Sequence, residues 1–147
     1  MKALTAICLA LFLTTGALAP GQSERPSDAE VDARRSALEL AGAFQNDGFK
    51  VRDGHWVGKL KPNQSQLVAV NLYAGNAYWF LVAGGPGSGE VSVDLLDESG
   101  QPVDAMPYQE ETRAGAGYIP EYSGQFYVRV KLGEGKEVPV CLVYSFK

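Results

Sequence analysis

His55 is the single histidine of the chain, so any Ser/His/Asp or Cys/His nucleophilic arrangement would have to be built on it. Its neighbours Gly54 and Trp56 put it at the start of a strand, where a structural or solvent-facing histidine is expected. Cys141 stands between Val140 and Leu142, and a thiol in so apolar a strand behaves as a small hydrophobe with a raised pKa. No catalytic residue is assigned. Zinc is expected less still, because one His and one Cys cannot close a four-ligand site without two carboxylates that nothing here arranges. Asp94, Asp97, Glu98 and Asp104 bracket a turn at Glu98 to Gln101 and carry the hard oxygens that calcium takes. Alternation along a strand sends Asp94 and Asp97 to opposite faces, so turn formation and a solvated edge are expected of them, and neither a metal nor a cofactor is.

The aromatic residues pose a sharper question. In Ala77 to Ala83, Tyr78, Phe80 and Val82 point one way while Trp79, Leu81 and Ala83 point the other, so this strand is apolar on both faces. One reading is a central strand covered on both sides, with an N-terminal helix as the second cover. The other is that Trp79, with Tyr127 and Tyr73, presents flat rings to a sugar or a partner protein. The exposure of Trp79 separates the two.

The elements that must position these residues are legible from pattern. Lys2, the apolar stretch Ala3 to Leu13 and the small-residue tail Thr14 to Ala19 read as a secretory signal peptide over residues 1–19, cleaved after Ala19 or, because Pro20 would hinder the first cut, after Ala17. The apolar stretch is too short for a stable span, so no membrane insertion is expected once the leader is gone. Cys8 leaves with it, and Cys141 then has no intramolecular partner for a disulfide. Residues 20–45 read as a polar tether and a short helix, in which Ser27 and Glu30 have the capping-box spacing. Val31, Leu38 and Ala41 form a thin apolar stripe, predicting two to three turns docked loosely or frayed.

From residue 46 to 147 the period is two, with turn residues every eight to twelve positions. Strands are predicted at His55 to Leu60, Gln66 to Leu72, Ala77 to Ala83, Glu90 to Asp97, Arg113 to Ile119, Gln125 to Leu132 and Val138 to Phe146. This is the pattern of an all-β fold, an antiparallel jelly-roll-like β-sandwich of about seven or eight strands with a short N-terminal helix. Gly84 to Gly89 leads into a strand and cannot cradle phosphate at a helix N-terminus.

Four segments in order carry a family resemblance: His55-Trp56-Val57-Gly58-Lys59-Leu60, Leu72-Tyr73-Ala74-Gly75-Asn76-Ala77-Tyr78-Trp79-Phe80, Val93-Asp94-Leu95-Leu96-Asp97-Glu98-Ser99-Gly100 and Ser123-Gly124-Gln125-Phe126-Tyr127-Val128-Arg129-Val130. Over about Trp56 to Tyr144 the chain resembles the bacterial pre-peptidase C-terminal domain. The resemblance implies a jelly-roll-like sandwich serving secreted hydrolases in adhesion, substrate binding or processing. It departs from that pattern by standing alone, and where relatives carry an Asp-rich stretch it has Tyr108-Gln109-Glu110-Glu111.

The charge balance of 13 Lys and Arg against 17 Asp and Glu, a formal net charge of −4, repels phosphate backbones, so nucleic acid is not an expected partner. The expectation is a secreted or periplasmic, non-catalytic accessory module recognising a polysaccharide or protein partner. The alternative is a structural envelope protein, with a calcium-dependent adhesion domain or a hydrolase behind both. Oligomeric state is left open.

Overall fold

The computed structural model describes residues 24–147, so the leader with its two cleavage positions, Cys8 and the first residues of the tether lie outside the described residues. The described residues form one α-helix, a short 3-10 turn and nine β-strands. The helix, α1 (Asp28–Ala43), starts where the capping box puts it: the Ser27 hydroxyl accepts from the Glu30 amide at 3.3 Å, and the Glu30 carboxylate accepts from the Ser27 amide at 2.7 Å. The strands are β1 (Lys50–Val51), β2 (Trp56–Leu60), β3 (Ser65–Leu72), β4 (Tyr78–Gly84), β5 (Val91–Leu96), β6 (Met106–Gln109), β7 (Arg113–Tyr118), β8 (Gly124–Leu132) and β9 (Val138–Phe146).

They make two antiparallel sheets. The larger has six strands in the order β1-β9-β4-β7-β6, with β2 also paired to β9, and the smaller runs β3-β8-β5. Both inner faces are apolar by alternation. Tyr78, Phe80 and Val82 from β4 and Val138, Val140 and Leu142 from β9 meet Phe126, Val128, Val130 and Leu132 from β8 in one buried core. The fold is an all-β sandwich.

A second buried cluster lies on the far side of the six-stranded sheet. Ala33, Ala37, Leu40 and Ala41 of α1 pack on Leu81 and Ala83 of β4 and on Cys141 and Val143 of β9. Strand β4 is therefore covered on both faces.

The structure departs from the pattern in three places. β1 and β6 extend the expected seven or eight strands to nine; β1 is two residues long, too short to show a period, and Pro107 masks β6, which tolerates a proline because it lies at a sheet edge. The helix has 16 residues, more than the two to three turns expected. Its buried face shares only Ala41 with the expected stripe. Val31 and Leu38 are 48% and 39% exposed, whereas alanines face the sheet. Alanine has little hydropathy of its own, but it lets a helix approach a sheet closely, and that packing holds the helix in place.

Candidate functional site

The registers of the six-stranded sheet align one row of side chains on its helix-facing side: Val51, Ser145, Trp79, Gly117 and Met106, from β1, β9, β4, β7 and β6 in turn. Gly117 is what gives the Trp79 indole its place. A Cβ at this position would stand 2.8 Å from the ring, so only a glycine lets the indole lie across β7. Phe44, just past the end of α1, packs on the ring with centroids 4.6 Å apart and planes tilted by 33°. Trp79 is half-buried by this clamp.

Beyond the end of the helix the same row opens into a groove of about 710 Å³, lined by Trp79, Tyr118, Phe49, Met106, Ile119 and Lys147. Met106 and Ile119 are each 65% exposed, an unusual burden of apolar surface for two neighbours. Asp104 and Glu121 stand at the rim. Lys147 closes one end: its ammonium donates to the Asp47 carbonyl at 3.0 Å and sits 4.5 Å from the centre of the Phe49 ring. Burial, followed by the neighbouring Tyr122, Glu121 and Asp97, raises the Tyr118 phenol above its ordinary pKa, so it is a neutral hydroxyl at physiological pH.

The three aromatic candidates do not share a platform. Tyr127 lies on the outward face of β8, in the other sheet, opposite Ala69 and Leu96. Tyr73 follows β3 at the edge of the sandwich, 56% exposed, and lines a separate groove with Arg52, His55, Trp56 and Tyr144. Trp56 is the aromatic that the pattern undervalued there, folded over Gly58, where a Cβ would meet it at 2.4 Å. Met106, Ile119 and Phe44 were equally silent in the sequence. Their importance comes from pairing across strands and from where the helix ends, neither of which leaves a period.

The acidic candidates are engaged separately. The Asp94 carboxylate accepts from Arg129 at 3.0 and 2.7 Å, with the Lys131 ammonium 3.7 Å away. Asp97 is occupied by its own turn, accepting from the Ser99 hydroxyl at 2.6 Å and from the Ser99 and Gln101 amides at 2.9 Å. Those bonds, the Ser99 hydroxyl first, hold its pKa below the usual carboxylate value. Glu98 is exposed at the tip, and Asp104 belongs to the Trp79 groove. Among the described residues no three His, Cys, Asp or Glu side chains converge in a way that could hold a metal ion.

His55 is largely exposed, and the partial desolvation it does undergo, followed by the nearby Arg34 guanidinium, lowers its pKa. Cys141 is sealed beneath α1, and burial pushes its thiol up to about 11. In the β6–β7 hairpin, Glu110 accepts from the Tyr108 hydroxyl and from Arg113, with an Arg113 Nε distance of 2.6 Å, which pins the turn at the end of the hairpin away from the groove. The chain matches no protein-family model and no curated protein.

Proposed function

We propose that this chain is a non-catalytic, exported accessory module that recognises an apolar segment of a protein partner in the groove beside Trp79. One observation carries the reading: Met106 and Ile119, both 65% exposed, flank the half-buried indole where the helix stops covering the sheet. The carboxylates of Asp104 and Glu121 at the rim suit a partner whose apolar side chains are flanked by Lys or Arg. A polysaccharide is the weaker candidate for this groove, since a sugar stacks on a free ring face and Trp79 is held between Gly117 and Phe44. Export is supported by the leader-like sequence at residues 1–19. The non-catalytic assignment is supported by the burial of Cys141 and its raised pKa, which oppose a thiolate. An accessory role is also what the resemblance to pre-peptidase C-terminal domains implies.

A random-peptide display library and a glycan array, both probed with the full chain, test the reading. Retained peptides should be apolar with basic flanks, should be lost with the Met106→Glu, Ile119→Glu double variant, and should be unaffected by His55→Ala. Retention of glycans instead, or peptides indifferent to the double variant, would overturn it. A second reading, a structural envelope protein, is favoured by the clamp on Trp79, which gives the ring a packing role of its own. Failure of both screens would select it.

A further inference from the structure

Four of the five edge strands are blunted in ways that discourage pairing with another chain. β1 and β2 are short, and Lys59 adds a charge to β2. β6 is four residues long and contains Pro107. β5 is occupied along its outer side: the Val103 amide donates to the Leu95 carbonyl at 3.0 Å, the Gln109 side chain donates to the Val91 carbonyl at 2.8 Å, and Leu96 bridges Pro102.

β3 is the least protected: among its outward groups only the Leu67 carbonyl is engaged, accepting from the Gln66 side chain of the same strand at 3.2 Å. It is eight residues long, Ser65-Gln66-Leu67-Val68-Ala69-Val70-Asn71-Leu72, with no charge and no proline, and among the described residues no strand pairs with its outer side. The Leu132 amide donates to the Gln64 carbonyl at 3.1 Å, which sets the phase of the ladder with β8. Carried along the strand, that phase bonds residues 66, 68, 70 and 72 to β8 and turns the N–H and C=O groups of Ser65, Leu67, Ala69 and Asn71 outward. The side chains of these four residues are exposed as well, Leu67 by 49%. A groove of about 360 Å³ lies between Val68 to Asn71 and the segment Arg52 to Trp56, which leaves space beside this part of the strand.

We propose that this edge pairs with the same edge of a second copy of the chain, joining two three-stranded sheets into one. The strand is self-complementary in a way that an arbitrary edge is not. An antiparallel pair centred on Val68 sets Ser65 against Asn71, Leu67 against Ala69 and Gln66 against Val70, so all four outward-facing residues meet outward-facing residues. Among the outward-facing residues Ser65 faces Asn71 and Leu67 faces the small Ala69, and no like charges oppose one another anywhere in the pair. The contact is isologous and closes at two copies. It involves a different face from the Trp79 groove, so each stands or falls by itself.

Sedimentation velocity of the full chain over a roughly hundredfold range of concentration, reaching hundreds of micromolar, tests this by mass action. The expected result is a concentration-dependent doubling of mass, accompanied by slowed exchange of the Ser65, Leu67, Ala69 and Asn71 amides. Ala69→Pro removes an outward N–H that β8 does not use, and Leu67→Lys places two ammonium groups near the two-fold axis; each should give a monomer with the wild-type thermal midpoint. Should the proline variant fold poorly, the lysine variant decides. A wild-type chain that stays monomeric at the highest concentration, or a dimer that survives Leu67→Lys, overturns the proposal.

Discussion

On the outer face of the six-stranded sheet, Leu81, Ala83, Cys141 and Val143 are each at most 1% exposed, whereas on the outer face of the three-stranded sheet Tyr127, Arg129 and Lys131 all reach water. Both sheets alternate on their inner faces. The difference is the helix: α1 lays Ala33, Ala37 and Ala41 on one sheet, and no helix among the described residues covers the other, where Leu96, bridged to Pro102, is buried at the edge. A strand apolar on both faces, such as β4, thus announces a second layer, while a strictly alternating one, such as β8, announces a wet face. The covered sheet exposes Met106 and Ile119 beyond the end of its cover, and the bare sheet carries an ion pair and an open edge.

Substituting one residue on each outer face should expose the asymmetry most visibly. Val143→Asp buries a carboxylate between α1 and the sheet and should cost more than about 4 kcal/mol, enough to unfold a marginal domain. Tyr127→Ala on the bare face should cost about 1 kcal/mol or less. Urea titration of the two variants measures the contrast, and equal losses would contradict it. Next in size is Gly117→Val, whose Cβ would stand 2.8 Å from the Trp79 ring; overpacking there should cost about 1–3 kcal/mol in the same assay.

Titration sharpens the comparison further. Burial raises the Cys141 thiol from 9.0 to about 11, so folding favours its neutral form. Its contribution is complete below about pH 9 and is lost as pH rises through about 11. Stability should decline over that window, and Cys141→Ala should make the decline shallower. It should not abolish it, because burial also raises the Tyr118 and Tyr144 phenols. An unchanged pH profile in the variant would mean that the thiol is not sealed. The smallest effect belongs to the bare sheet: Asp94→Ala removes a half-exposed pairing with Arg129 and Lys131 and should cost less than about 1 kcal/mol, less still at high salt, as thermal melts at two ionic strengths would show.

Much of this architecture was readable from residue order. Seven strands followed from alternation and turn residues, and Ser27 with Glu30 marked the start of the helix. What escaped had physical reasons. Pro107 concealed β6, the alanine face of α1 was invisible to a hydropathy stripe that favoured Val31 and Leu38, and Phe44 reaches Trp79 only because the helix runs its full length. The candidate site was legible residue by residue but not as an assembly. Trp79, Tyr127 and Tyr73 all lie in or beside strands, yet pairing order carries them to three different places, and no short-range pattern encodes that order.

The central claim is that Trp79 belongs to the packed layer between helix and sheet and offers only part of its ring to the groove. Fluorescence of a Trp56→Phe variant, in which Trp79 is the sole tryptophan, tests this directly by iodide quenching. The expected result is weak quenching in the folded chain that rises sharply on unfolding in urea. Quenching in the folded chain as strong as in the unfolded one would contradict the claim and return Trp79 to the role of an open platform.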